Sequence, residues 1–207
     1  MEPQIEKILI EYEKRSDAEH LAMDTMSREE IGKRRDQMLL AVGRASGTLL
    51  NLLVKGAHAR SILELGTSFG YSTIWLAEAA RTTGGKVTTT ELRPEKSAHA
   101  RNTLASVGLA SCVDFRVGDA LTILREVPGP FDFVLLDLWK DLYIDCFELF
   151  TPKLSVGAIV VADNMVYPEA ARPDAERYRT HVRNSGRYDS VLLPIGSGLE
   201  VSRLRGR

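Results

Sequence analysis

The chain opens with apolar residues at helical spacing. Ile5, Ile8, Leu9 and Tyr12 recur at three- and four-residue intervals and predict a short amphipathic helix. A second helical stretch is expected to carry Leu21, Ala22 and Met26. Ser27-Arg28-Glu29-Glu30 has the form of a capping box, and Ile31, Met38 and Val42 follow on one helical face. Gly43 and Gly47 interrupt that pattern before Leu49, Leu50, Leu52 and Leu53 resume it as a core-facing helix. Residues 1–57 thus predict an all-helical layer, which suits a packing cap, a dimer surface or a pocket wall equally. The glycine-flanked break at Leu40–Gly43 is the part expected to line a site.

From Ser61 the pattern changes. Ile62, Leu63 and Leu65 form a short apolar run that suits a strand covered on both faces. Val87–Glu91, Val113–Val117, Phe131–Asp137 and Ala158–Asp163 repeat the theme. Helices alternate with them: one opens at Ser72 and Thr73, one at Pro94 and ends by Gly108, and Asp119 caps a third through about Arg125. Tyr143–Phe150 stops at Pro152, and Pro173–Ser185 is helical but largely polar. The last strands, Ser190–Leu193 and Leu199–Leu204, are joined through Gly196-Ser197-Gly198, a joint short enough to require antiparallel pairing. The order predicts an α/β fold: a doubly wound, Rossmann-like seven-stranded sheet, mostly parallel with an antiparallel C-terminal edge hairpin. One domain is expected over 1–207, with its ligand-binding core in 58–207.

In such a sheet the ligand lies beyond the carboxyl ends of the strands. Those ends carry Glu64, Glu91, Gly118-Asp119, Asp137 and Asp163-Asn164. Crowded carboxylates repel, so the rim requires a cation, a cationic ligand or protonation. Gly66 and Gly70 let a ligand approach the backbone before the helix at Ser72, whose free N–H groups face the same crevice. Glu91 ends the second strand, where a carboxylate accepts hydrogen bonds from ribose hydroxyls. The loop is Gly66-x-x-x-Gly70 and lacks the G-x-G-x-x-G of dinucleotide binders, and Glu64 would serve a pyrophosphate poorly. S-adenosylmethionine fits better, having a ribose, no phosphate, and cationic ammonium and sulfonium groups.

Asp137-Leu138-Trp139-Lys140 and Asp163-Asn164 make a second constellation. Two carboxylates and an amide carbonyl are hard oxygen ligands of the kind Mg²⁺ favours. None of the four histidines falls on this rim, which disfavours zinc. An acceptor with two neighbouring hydroxyls would chelate the metal, and Lys140 is placed to take a phenolic proton. The competing reading of Lys140 is a surface lysine paired with Asp141.

Composition narrows the classes. The 207 residues carry a net charge of −1, which offers no electrostatic pull toward nucleic acid or an anionic membrane. No apolar run reaches the length of a membrane span, and Met1–Lys7 lacks a signal-peptide pattern. Cys112 and Cys146 are the only cysteines, which favours a reducing cytoplasm.

Residues Ile62–Thr73, Leu136-Asp137-Leu138-Trp139-Lys140-Asp141-Leu142-Tyr143, Val161-Ala162-Asp163-Asn164 and Gly198-Leu199-Glu200 together resemble the Mg²⁺-dependent class I O-methyltransferases, of the catechol and caffeoyl-CoA types. The resemblance spans roughly Met38 to Leu204. It implies that Asp137, Asp163 and Asn164 ligate Mg²⁺ or another divalent cation such as Mn²⁺ or Ca²⁺, and that Lys140 is the catalytic base. It implies that Glu200 hydrogen-bonds the hydroxyl that is not methylated. Val42, Glu64, Gly66, Ser68, Ser72, Glu91 and Asp137 match cofactor-contacting positions, with Ala120 near the adenine. Trp139 and Pro168 match apolar walls around an aromatic acceptor, which Lys140 and Asn164 also touch.

The chain departs from the catechol pattern too. Met38 and Leu40 stand where that enzyme has an aromatic gatekeeper and a methionine, Leu138 replaces a histidine, and Val201 replaces a tyrosine. The expected reaction is methyl transfer from S-adenosylmethionine to one hydroxyl of a catechol-like molecule, in a cytoplasmic protein compatible with a homodimer through its N-terminal helices, as the resemblance implies, or with a monomer. The alternatives are a methyltransferase for another small-molecule, amine or RNA acceptor, a nucleotide-dependent oxidoreductase, and a non-catalytic binding protein. The fourth strand lacks the Asn/Asp-Pro-Pro-aromatic pattern of many amino-group methylases.

Overall fold

Strands made of unbroken apolar residues need cover on both faces, and the chain supplies it by alternating strand with helix. A computed structural model describes residues 1–23 and 25–206; Asp24, inside the expected second helical stretch, and Arg207 lie outside the described residues. The strands are β1 (Ser61–Leu65), β2 (Lys86–Glu91), β3 (Val113–Val117), β4 (Phe131–Leu136), β5 (Leu154–Ala162), β6 (Tyr188–Leu193) and β7 (Leu199–Leu204). They form one sheet in the order β3-β2-β1-β4-β5-β7-β6. β7 runs antiparallel to both its neighbours, and the other pairings are parallel. The doubly wound, Rossmann-like architecture predicted above is the one observed.

The period of two in each strand splits the core. Ile62, Val87, Phe133, Leu135 and Val161 face α1 (Pro3–Met23), α3 (Arg44–Gly56), α4 (Tyr71–Thr83) and α5 (Pro94–Ser106). Leu63, Leu65, Val134, Leu136 and Val160 face α6 (Ala120–Glu126), α7 (Tyr143–Phe150) and α8 (Arg172–Asn184). The N-terminal layer therefore covers only one face of the sheet. No helix among the described residues is long and apolar enough to cross a membrane.

Three expectations for the N-terminal layer are corrected. The first helix runs from Pro3 to Met23, while Leu21 is exposed and Met26 lies beyond the helix. The stripe of Ile5, Leu9 and Tyr12 continues through the buried Ser16, a polar residue that hides it from an apolar pattern. The capping box forms as expected: Ser27 N–H donates to Glu30 Oε2 (2.9 Å) and Glu30 N–H to Ser27 Oγ (3.3 Å), opening α2 (Arg28–Arg34). Met38 and Val42, however, lie on a non-helical segment, where Leu40 (φ 48°) and Gly43 (φ 82°) are left-handed. Gly47 does not interrupt a helix but sits inside α3, where a Cβ would fall 2.3 Å from the Trp75 indole nitrogen. Leu52 is exposed; Leu50 and Val54 bury that helix.

Parallel register brings the strand ends together. Glu64 lies level with Thr89 and Leu135, and Leu136 with Leu65 and Ala162. The Asp137 N–H donates to the Leu65 carbonyl (2.9 Å) and the Asp163 N–H to the Leu136 carbonyl (3.1 Å). Gly66 (φ 109°) follows β1, and a Cβ there would lie 1.9 Å from the Asp137 carbonyl oxygen. Gly66→Ala should therefore destabilise the fold by about 2 kcal/mol or more in urea unfolding. Wild-type stability in that variant would refute the packing.

Candidate active site

Glu64 is a fully buried carboxylate on the α4 face of the sheet. Its Oε2 accepts from Thr73 Oγ1 in the first turn of α4 and from Thr89 Oγ1 in β2, both at 2.6 Å. Its Oε1 is buried and has no hydrogen-bond partner. Burial pushes the Glu64 carboxyl up to about 7, against the Thr73, Thr89 and Ser72 hydroxyls that favour its anion, and nearby Asp137 adds to the rise. A buried acceptor with no donor costs free energy unless a ligand supplies one. A cationic ammonium fits that oxygen.

The Gly66–Gly70 turn is held by the next strand end. Ser68, left-handed at φ 47°, donates its N–H to Glu91 Oε2 (2.7 Å), and Glu91 Oε1 accepts from Arg93 N–H (2.9 Å). Glu91 remains partly exposed, with lone pairs directed outside these two bonds. Ser68 Oγ donates to the Leu39 carbonyl (3.3 Å), joining the turn to the Met38–Gly43 segment. The expected pocket-lining segment thus lies against the glycine turn. Val42, Met38 and Ser72 are buried, Leu40 is exposed, and Ala120 is the first residue of α6 after its cap Asp119. Asp119 spends its carboxylate on the Thr122 N–H and hydroxyl, both 2.8 Å away.

At the neighbouring strand ends Lys140 turns inward. Its Nζ donates to Asn164 Oδ1 (3.0 Å) and Tyr143 Oη (2.5 Å), reaches the Leu138 carbonyl (3.3 Å), and stands 4.2 Å from the centre of the Tyr143 ring. Tyr143 is fully buried and donates to the Leu136 carbonyl (2.9 Å). Its hydroxyl also lies 3.2 Å from the Asp163 carbonyl. Asp163 is buried with Oδ1 unpartnered. Burial and the charge of Asp137 push its carboxyl up to about 8, opposed by the Asn164 backbone N–H and by Lys140. Burial likewise raises Asp137, opposed by Lys140. Among the described residues no three His, Cys, Asp or Glu side chains form a metal cluster. Two carboxylates and the Asn164 amide are an oxygen-only set, and the bare Asp163 oxygen beside a second acid fits a hard dication.

The structure does not join Glu200 to this group. Its buried carboxylate accepts from Arg179 Nε (3.0 Å, Oε2), and from Arg183 Nε (3.0 Å) and Ser190 Oγ (2.6 Å) at Oε1. Trp139 is 45% exposed and Tyr167 65% exposed, beside the half-buried Pro168. Sequence reasoning missed Tyr143, Thr73 and Thr89. Tyr143 stands three residues after Lys140, a spacing that brings helical side chains together. Arg179 and Arg183 lie in a helix whose pattern predicted only that it is largely polar.

The Glu64 burial has a pH signature. Its folded pKa lies above the ordinary carboxylate value, so the fold binds more protons and loses stability as pH rises from about 4.5 through about 7. Glu64→Gln, neutral throughout, should gain about 2–3 kcal/mol relative to wild type between pH 5 and pH 8.5 in ligand-free urea unfolding. A difference independent of pH would contradict the assignment.

Comparison with known proteins identifies the family. An O-methyltransferase family model matches residues 13–204. A catechol O-methyltransferase of Niastella koreensis is 37% identical over 157 residues, covering 74% of this chain and 70% of its own. The O-methyltransferase TomG of Streptomyces achromogenes, solved in complex with SAM, superposes with a TM-score of 0.75 at 28% identity and full coverage of both chains. An O-methyltransferase of Bacillus cereus in complex with SAH superposes at 0.73 with 27% identity, over 94% of this chain and 100% of the other. The chain belongs to the class I, S-adenosylmethionine-dependent O-methyltransferase family.

Proposed function

We propose that the protein methylates one hydroxyl of a vicinal dihydroxy aromatic molecule, assisted by Mg²⁺ or a similar divalent cation. The observation that carries this reading is the inward Lys140, hydrogen-bonded to Asn164 beside two carboxylates whose burial disfavours their charge. When bound, S-adenosylmethionine supplies a methyl group on a sulfonium, and the cation supplies positive charge that acidifies and orients hydroxyls. Gly66, Ser68, Ser72, Val42 and Ala120 would shape the donor pocket, with Glu64 for the ammonium and Glu91 for the ribose. Asp137, Asp163 and Asn164 would hold the cation.

In its neutral form Lys140 accepts the proton of the attacking hydroxyl at Nζ, and the buried Tyr143 holds that nitrogen in place. Trp139, Pro168, Met38 and Leu40 would supply apolar contacts to an aromatic ring. Glu200, which the motif assigns to the hydroxyl that is not methylated, has its oxygens taken by protein donors. With its oxygens engaged by Arg179, Arg183 and Ser190, it anchors α8 to β7 and β6. The catechol-type name of the Niastella relative supports the acceptor class.

Methylation of catechols, caffeoyl esters and hydroxylated flavonoids, assayed with and without Mg²⁺, tests the proposal. Excess EDTA should abolish turnover and added Mg²⁺ restore it; full activity in EDTA would sink the metal reading. Asp163→Ala should be inactive with an unchanged far-ultraviolet circular dichroism spectrum. Lys140→Ala should lose at least about tenfold in kcat, about 1.4 kcal/mol. An unaltered rate across pH would remove Lys140 from the role of base.

A further inference from the structure

The first helix does more than cover the sheet. Its N-terminal half buries Ile5 and Leu9 in the core, while Tyr12, Arg15 and Glu19 continue along the helix at spacings of three and four residues. All three reach the turn and the wall that frame the donor pocket. Tyr12 Oη donates to the carbonyl of Phe69, inside the Gly66–Gly70 turn, at 2.8 Å. The Arg15 guanidinium stands 4.3 Å over the Phe69 ring and donates to the Gln37 carbonyl at 3.0 Å. Glu19 divides its carboxylate: Oε1 pairs with Arg15 Nε (2.7 Å) and Oε2 accepts the Leu39 N–H (2.7 Å).

Leu39 is therefore held at both backbone groups. Glu19 takes its N–H, and its carbonyl takes the Ser68 hydroxyl, whose own N–H donates to Glu91. This relay runs from α1 to the ribose-binding carboxylate in three hydrogen bonds. It crosses two non-glycine residues or their neighbours in left-handed conformations, Leu40 at φ 48° and Ser68 at φ 47°. Such backbone persists only where the surroundings fix it, and here Glu19 and Tyr12 of α1 supply fixing groups beside Glu91 of β2.

We propose that Tyr12, Arg15 and Glu19 form a clamp that sets the affinity of the methyl-donor pocket, making α1 a positioning element of the site. The proposal rests on that pocket taking S-adenosylmethionine. The Glu19 carboxylate holds the wall at Leu39, Tyr12 holds the turn at Phe69, and Arg15 ties the two together. Loss of Glu19 frees the Met38–Gly43 wall to swing from Ser68, and the donor then pays the ordering entropy on binding.

Full-length wild type, Glu19→Leu, Glu19→Gln and Tyr12→Phe would be titrated with S-adenosylhomocysteine by calorimetry, beside donor KM and kcat. Glu19→Leu should weaken binding at least tenfold, while Glu19→Gln, whose amide oxygen still accepts from Leu39, should stay within threefold of wild type. Tyr12→Phe should weaken binding at least threefold, and each loss should exceed the change in kcat. The clamp is overturned if the wild type binds and Glu19→Leu binds within twofold of it. It is equally overturned if both Glu19 variants lose alike, or if the losses fall in kcat with Kd unmoved. Should Glu19→Leu fail to fold, Tyr12→Phe decides: wild-type affinity in that variant overturns the clamp. A wild type that binds no S-adenosylhomocysteine refutes the donor assignment itself, and the clamp with it.

Discussion

Carboxylates buried at the carboxyl ends of parallel strands are the constraint around which this molecule is arranged. Glu64 and Asp163 each keep one oxygen away from both solvent and donor, and burial raises both pKa values. In a protein of ordinary stability such groups are a standing cost, because desolvation disfavours their charge and one oxygen of each lacks an internal donor. They lie at the carboxyl ends of β1 and β5, on either side of β4, with Asp137 at the end of the strand between them. That is where a cationic ligand relieves the cost. The sheet thus does electrostatic work before any ligand arrives.

The two halves of the crevice are built differently. The donor half is backbone-rich: a glycine turn, a left-handed serine and two glutamates fixed by threonine hydroxyls and amide N–H groups. The half proposed to take the acceptor is side-chain-rich: Lys140 bonds Tyr143 and Asn164, and Trp139 and Tyr167 are exposed. Rigid backbone suits a cofactor shared by a whole family, whereas exposed side chains are where acceptor choice can change.

Much of the sheet was legible because its strands are short, apolar and bounded by Gly, Pro or Asp. β3, α7 and β7 have the bounds their patterns predict. The N-terminal layer was less legible for physical reasons. Ser16 and Glu19 continue the docking face of α1 with polar chemistry, so an apolar period stops at Tyr12. Met38 and Val42 share a helical spacing by coincidence, while the left-handed Leu40 between them belongs to a wall held by Glu19 and Ser68. In the site, the lone acid Glu64 in an apolar strand announced a use. Its threonine partners did not, since Thr89 reads as an ordinary strand residue. Nor does a motif reveal that Glu200 faces two arginines one helical turn apart on α8.

The central claim is that the paired strand-end acids hold a divalent cation beside the methyl donor. Calorimetric titration of Mn²⁺ into the protein with S-adenosylhomocysteine present tests it most directly, with Asp163→Asn as the control. The account predicts one binding site in the wild type and its loss in the variant. No binding to the wild type, or equal binding to both proteins, would contradict it.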